Sequence, residues 1–496
     1  YYLDSQHLLN VAGYSISAAK KTLDAITPVA GILGLKTTEN QEIAELSMED
    51  RISATVQVMP TLADNLEVLE GDLKAIEEEM ESVEPGRYPS VIYVEGQNVQ
   101  ELLMTAHSYT DSLSASLPKV QETLRMLPSV FGFPTARRYV VIFQNDKELR
   151  PTGGFWTAYA LATMTQGKMT DLRSGDMYFV DYRIAPENKT PAPAVYRQIL
   201  KVDNWYIRDS NLSPDFPTAV EQFSKFWNQA QAGRSEQAIH LNQTQGILPD
   251  FDGVITLDTE VVKSFLEVLG EVEVDGKGFN SDNAILELEK QATIIKKEQE
   301  GRKALIGDLM DGLFEKAFTA PKNEWDVSIA AILQAAGKKH ILLNFEDEAE
   351  QQWAENLNWA GKIRRDYAGD YFHLNEANFG GAKANLYVTR TVKQDVKKEG
   401  GKWVKTVTVD FKNPEPYDGW LNGPYRSYIR VLAPEGSKLL SIEGGQAEVP
   451  QKSYFDDIIN KQVFAAFNIT KPEDSSQLVF KYELTDKVID RKSTRL

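Results

Sequence analysis

Residues 138–181, RYVVIFQNDKELRPTGGFWTAYALATMTQGKMTDLRSGDMYFVD, decide how this chain folds. An apolar, β-rich run (139–143) feeds a polar loop carrying Arg150, and Pro151, Thr152, Gly153 and Gly154 then lead into a second β-rich run (155–164). The spacing predicts a strand, a loop and a strand. Pro151 fixes one torsion, while Gly153 and Gly154 permit positive φ and close backbone approach. Exposed N–H groups and the Arg150 guanidinium can therefore converge on an anion. The plainer reading of the same residues is a tight connection in a sheet, because Gly-Gly pairs mark turns wherever they occur.

Outward from this unit, strand and helix patterns alternate from Arg138 to about Asn375. Pro217 sits in the first turn of a helix (218–230) with Asp215 just ahead of it, a strand (252–258) precedes a helix (260–269) closed by Gly270, residues 282–318 read as largely helical, and a further strand covers 340–345. The alternation predicts an α/β sheet domain over 136–382. Upstream, Ile52, Val56, Met59, Leu62, Leu66, Leu69, Leu73 and Ile76 recur at three- and four-residue steps, and a second helical pattern runs over 99–126. An antiparallel helical hairpin or stalk over 1–135 is expected, kinked or broken at Pro60. Ser47 and Asp50 resemble a capping box. Beyond residue 383 the period changes to long alternating β-runs (385–396, 402–411, 425–432, 463–469 and 478–484), which predict a β-sandwich of immunoglobulin-like type over 383–496. Trp420, Tyr425, Tyr428 and Arg430 are read as parts of that domain. The fold class expected is thus α+β and multidomain.

The chain has 496 residues, enough for about three domains, and a net charge of −18 that repels nucleic acid and anionic bilayers. Cysteine is absent, which excludes disulfides, thiolate metal sites and cysteine nucleophiles. No run of 18 apolar residues predicts a membrane span. The chain begins with Tyr1, which suggests a processed or truncated product.

Common catalytic motifs (HExxH, GxSxG, a Walker loop, GxGxxG) are missing. The five histidines, His7, His107, His240, His340 and His373, lack ligand spacing and read as packing or surface residues. Gly380 to Lys383 reads GGAK, too short and without the trailing hydroxyl residue of a phosphate loop. Asp209, Asn211, Ser213 and Asp215 put oxygens at alternate positions, as Mg2+ or Ca2+ would require, with Pro214 excluding an EF-hand. The competing reading has Asn211 and Ser213 in turn hydrogen bonds and Asp215 capping the next helix.

ELRPTGGF, together with residues 208–223, 252–274 and 370–390, resembles the signature of the bacterial domain of unknown function 4012 family. That resemblance implies an extracytoplasmic cell-surface protein with an N-terminal membrane anchor upstream of this chain. The order of elements is also similar to that of the LytR-CpsA-Psr transferases, which move glycopolymers from polyprenyl pyrophosphate carriers to the bacterial wall. This second resemblance implies an anion site in which Arg150, Thr152, Gly153, Gly154, Arg173, Arg302 and Lys303 bind substrate. Arg150 and Asp176 would be catalytic, with Mg2+ held by Asp176, Asp209 or Asp215. Arg-Pro-Thr-Gly-Gly departs from the transferases' Arg-Ser-Asp-Thr, and Arg173-Ser-Gly-Asp176 from their adjacent Arg-Asp. The function expected is therefore binding, with phosphotransfer implied, of a phosphate-linked glycan-lipid or cell-wall polymer. The alternative is a noncatalytic surface scaffold or assembly protein with partners on the helical hairpin or the sandwich.

Overall fold

The structure, a computed structural model, describes residues 2–27, 48–232, 248–274, 276–294, 309–310, 312–313, 316, 325–367, 369–446, 449 and 451–485. It mixes helices and several separate sheets. The capping residue Ser47 and the basic pair Arg302 and Lys303 lie outside the described residues.

Where a hairpin is expected, three helical rods pack together: α1 (Tyr2–Ile26), a bent rod of α2 (Met48–Leu66) and α3 (Glu70–Glu81), and α4 (Val99–Val130). Pro60 does not end α2. Burial of Val56, Ala63 and Leu66 outweighs the one backbone bond that proline removes, and the bend falls at residues 67–69, a single 3-10 turn. Asn98 caps α4 by accepting from the Glu101 amide at 3.1 Å. Among the described residues no helix is long and apolar enough to cross a membrane.

The central sheet is built from β1 (Arg137–Asn145), β2 (Phe155–Thr165), β3 (Lys168–Asp176), β4 (Gly253–Asp258) and β5 (Ile341–Phe345), in the order β5-β4-β1-β2-β3. Only β1 and β4 run parallel, with Val140 opposite Val254 and Ile142 opposite Thr256. The unbroken apolar run in β1 follows from burial on both faces. Val140 and Ile142 join a core with Phe223 and Trp227 of α6 (Phe216–Ala232), while Val141 and Phe143 face Val262 and Leu266 of α7 (Thr259–Leu269). A short helix, α5 (Met177–Arg183), lies between β3 and α6 in sequence.

Two four-stranded antiparallel sheets form the β-sandwich. One has the order β6-β9-β12-β11, from β6 (His373–Asn378), β9 (Tyr425–Ala433), β11 (Lys452–Asp456) and β12 (Lys461–Thr470). The other has the order β7-β8-β13-β10, from β7 (Thr389–Glu399), β8 (Lys402–Asn413), β10 (Lys438–Gly444) and β13 (Asp474–Glu483). Ile429 and Phe464 from one sheet meet Val407 and Phe480 from the other in the core. The sandwich takes its first strand, β6, from within the stretch that spacing assigns to the central domain. Its pairing, Glu376 with Ile429 and Ala377 with Tyr428, is made with a strand some fifty residues on, which local periodicity does not register. The outer face of the β6 sheet is buried as well. Ala377, Phe379, Tyr428 and Phe467 pack there on Val195, Tyr196 and Ile199, so the two domains share one apolar cluster.

Candidate functional site

The Arg150 loop lies where β1 ends against the sandwich. The Gly153 amide donates to Arg150 O at 2.9 Å and Gly153 takes φ 125°, a conformation closed to most side chains. A Cβ on Gly154 would stand 2.5 Å from the Asn145 carbonyl carbon, so only glycine lets the strands approach. Thr152 donates to Gln144 Oε1 at 3.0 Å, an atom that also accepts from the Trp156 indole at 3.0 Å, and Asn211 Nδ2 donates to Thr152 Oγ1 and Gly154 O at 2.8 and 2.9 Å. Thr152, Gly153 and Gly154 are thus bonded inward.

Arg150 is 4% exposed. Its Nη1 donates to Leu149 O and to Asn378 O of β6, and Nη2 donates to Glu148 Oε1 at 3.2 Å and stands 3.5 Å from Asp209 Oδ1. Phe155 and Phe379 cover the guanidinium, with ring centroids at 4.8 and 5.4 Å. Glu148 also accepts from Lys383 Nζ at 2.6 Å, and Lys383 stands 3.8 Å from Glu289, which accepts from Asn145 at 2.5 Å. At the other end Arg208 bonds Asp181 at 2.5 Å and reaches Asp209 at 3.8 Å.

The result is a row of alternating charges, Asp181, Arg208, Asp209, Arg150, Glu148, Lys383 and Glu289, with one acid in excess. Burial pushes Asp181 up to about 7 despite the Arg208 charge, and burial also raises Asp209 against the pull of Arg150 and Arg208. Burial works against the Glu148 carboxylate too, but Lys383 and Arg150 hold it below its ordinary value. Arg430 extends the polar contacts into the sandwich, donating to Asn375 Oδ1 and Leu212 O at 2.5 and 2.7 Å, while Asn375 Nδ2 donates to Pro151 O at 3.0 Å.

The other expected site residues are elsewhere. Arg173 is exposed on β3 and bonded to Asp171 at 2.9 Å. Asp176 caps α5 through the Tyr178 amide at 2.8 Å. Asp215 caps α6 through Thr218 and accepts from the Ile363 amide at 2.8 Å. Of the expected set, the structure brings together Arg150, Asp209 and the Thr152–Gly154 turn, and it brings neither Arg173 nor Asp176 into bonding contact with Arg150. Each carboxylate expected to hold Mg2+ has a local partner, and among the described residues no three acidic or histidine side chains are placed to hold a metal.

A cleft of about 70 Å3 opens at the carboxyl ends of β1 and β4, with walls from Phe143, Leu257, Val262 and Met310 and a rim that includes Asp258, Glu289 and Lys383. Asp258 caps α7 and lies 2.7 Å from His340 Nδ1. Burial pushes its carboxyl up to about 6, against the His340 hydrogen bond. Sequence reading gave no role to Glu148 and Glu289, set Lys383 aside as part of an incomplete phosphate loop, and took His340 as a packing or surface residue. A further signal for Glu148 and Lys383 was their place inside two of the quoted signature segments.

No curated protein matches the chain. Two crystal structures from structural genomics are similar over 48% of this chain and 85% of their own. One is described as the transcriptional regulator yvhJ from Bacillus subtilis, at 10% identity and TM-score 0.24; the other is the Lin1025 protein from Listeria innocua, at 12% and 0.22. Residues 135–292, which hold β1 to β4, the Arg150 loop and both arginines of the charge row, match the model of a family described as "Protein of unknown function (DUF4012)".

Proposed function

We propose that this chain is a noncatalytic scaffold or assembly protein of the bacterial cell surface, extracytoplasmic and membrane-anchored in its full-length form. One observation carries the reading: Arg150, the cation of the signature loop, is buried between two rings with both terminal nitrogens bonded, Nη1 to Asn378 O across the junction of the two domains and Nη2 to Glu148 on its own side. A guanidinium so placed has no face left for a pyrophosphate, and its charge is already balanced by Glu148 and Asp209. The signature chemistry then fixes domain geometry, and partners dock on the surfaces the rigid pair presents.

A second reading is favoured by the apolar cleft beside Lys383, at the strand ends where ligands of open α/β sheets bind. There the chain would hold the lipid of a phosphate-linked glycan-lipid. The LytR-CpsA-Psr likeness of the sheet domain, and with it a phosphotransferase activity, belongs to this reading, whereas the immunoglobulin-like form of the sandwich is common to both. Calorimetry with polyprenyl pyrophosphates of increasing chain length, with and without Mg2+, separates the two. The scaffold reading expects no binding that tightens with chain length or with Mg2+. Affinity rising with each isoprene unit would replace it with the lipid reading.

A further inference from the structure

Residues 357–367 connect the central domain to the sandwich as an irregular ribbon, with turns at 357–358 and 365–366 and positive φ at Asn358 and Gly361. Its backbone is pinned at alternate positions: Trp359 O accepts from the Leu343 amide at 3.0 Å, Gly361 O from the Phe216 amide at 3.1 Å, the Ile363 amide donates to Asp215 Oδ1 at 2.8 Å, and Arg365 O accepts from Lys461 Nζ at 2.8 Å. Ile363 is buried with Leu432, Ile459 and Val463 of the sandwich side. The ribbon is therefore held by both domains, and its outward side chains start from fixed positions.

Those side chains, with the end of helix α8 (Glu348–Asn356), line a cavity of about 360 Å3. Lys362 is neutralised by Glu355 at 2.6 Å. Arg364 and Arg365 are not: both are exposed, and among the described residues no carboxylate lies within 4.0 Å of either guanidinium and neither makes a side-chain hydrogen bond. Further cations stand close by. The Lys339 ammonium is depressed by burial and by the Arg364 charge, and Lys461, itself depressed by burial, sits under the ribbon against the pull of Asp366 and Glu435. Asp366 is the one carboxylate of the wall besides the paired Glu355. On a chain of net charge −18, this is a local excess of positive charge held on rigid backbone.

Besides the apolar Ala360 and Ile363, the rest of the wall is amide. Asn358 offers a donor pair and an acceptor, the groups that hydroxyls require; Gln352 Nε2 donates to Asn356 Oδ1 at 2.9 Å and Asn356 Nδ2 to Glu122 at 3.0 Å, which leaves Gln352 its Oε1 and Asn356 the second lone pair of its Oδ1. Two guanidinium forks suit a single phosphate or carboxylate. The cavity has the size of a small-molecule site, and the acidic field around it repels long polyanions.

We propose that this cavity binds an anionic saccharide unit, a phosphorylated or uronic sugar, with Arg364 and Arg365 on its anionic group and the amides of Gln352, Asn356 and Asn358 on its hydroxyls. The site is separate from the Arg150 loop and stands whether or not the scaffold reading holds. Titration calorimetry on the full chain with glucose 1-phosphate, glucuronate, inorganic phosphate and glucose tests it. At least one of the two anionic sugars binds, and the tighter of them identifies the anionic group; inorganic phosphate binds more weakly and glucose gives no heat. Arg364→Ala/Arg365→Ala weakens the anionic sugar by about tenfold or more, while Arg173→Ala, at an exposed arginine outside the cavity, leaves it unchanged. Both positions are exposed, so the double variant keeps its thermal midpoint. Failure of both anionic sugars to bind, equal affinity in the double variant, or inorganic phosphate binding as tightly as the sugar would each overturn the proposal.

Discussion

Arg150 and the pair Arg364 and Arg365 sit in stretches that look alike on paper, short polar connections near glycine, and they end in opposite environments. Arg150 is enclosed by two rings and two carboxylates; the ribbon arginines face an open cavity, and among the described residues no carboxylate lies within 4.0 Å of either guanidinium. An arginine that is bonded on both terminal nitrogens inside the protein serves folding, and an arginine held in place without a partner is available to something else. Sequence signature and unmatched charge therefore separate in this molecule: the quoted motif marks the joint, and the arginines without an ion-pair partner lie on the ribbon.

The comparison breaks most visibly at Arg150. Arg150→Ala removes the cation between the buried Glu148 and Asp209 and leaves them to Lys383 and Arg208, in a row then two acids in excess, and the expected loss is about 3–5 kcal/mol, read from urea unfolding of the whole chain. A loss below about 1 kcal/mol would mean that the row of charges relaxes or admits water, and that Arg150 resembles the ribbon arginines after all.

Asp181 sharpens the same contrast through pH. Its folded value, about 7, lies above the ordinary 3.8, so the folded state holds the proton more tightly. By linkage its contribution to stability is greatest below pH 4 and declines as pH rises through 7. Asp181→Asn should flatten that decline between pH 5 and 8. Identical pH slopes in wild type and variant would show that the carboxyl stays ionised beside Arg208 throughout.

The smallest effect belongs to Arg173. Its pair with Asp171 is exposed, so Arg173→Ala should change unfolding free energy by no more than about 0.5 kcal/mol. A larger loss would place β3 in a contact that its exposure does not suggest.

What could be read from sequence was what neighbouring residues decide. Residues 139–143 announced an apolar strand, Asp215 and Pro217 announced the start of α6, and the alternating runs after residue 400 announced β8, β9, β12 and β13. What stayed hidden was set by distance along the chain. Arg150 meets Asn378 across 228 residues and Glu148 meets Lys383 across 235, so a loop arginine and a buried one present the same local text. Lys383 read as part of an incomplete phosphate loop for the same reason. The third helical rod and the continuity of α2 through Pro60 likewise depend on packing partners that local spacing does not reveal.

The β6 sheet, covered on one face by its sister sheet and on the other by residues 195–199, also bears on inheritance. A domain that shuffles freely between genes must carry its own complete edges and faces. This sandwich does not: a recombination joint at residue 383 would deliver it without β6, with Tyr428 and Phe467 uncovered and Arg430 parted from Asn375. Its lineage is tied to that of the sheet domain, and the two are expected to travel as a single heritable unit.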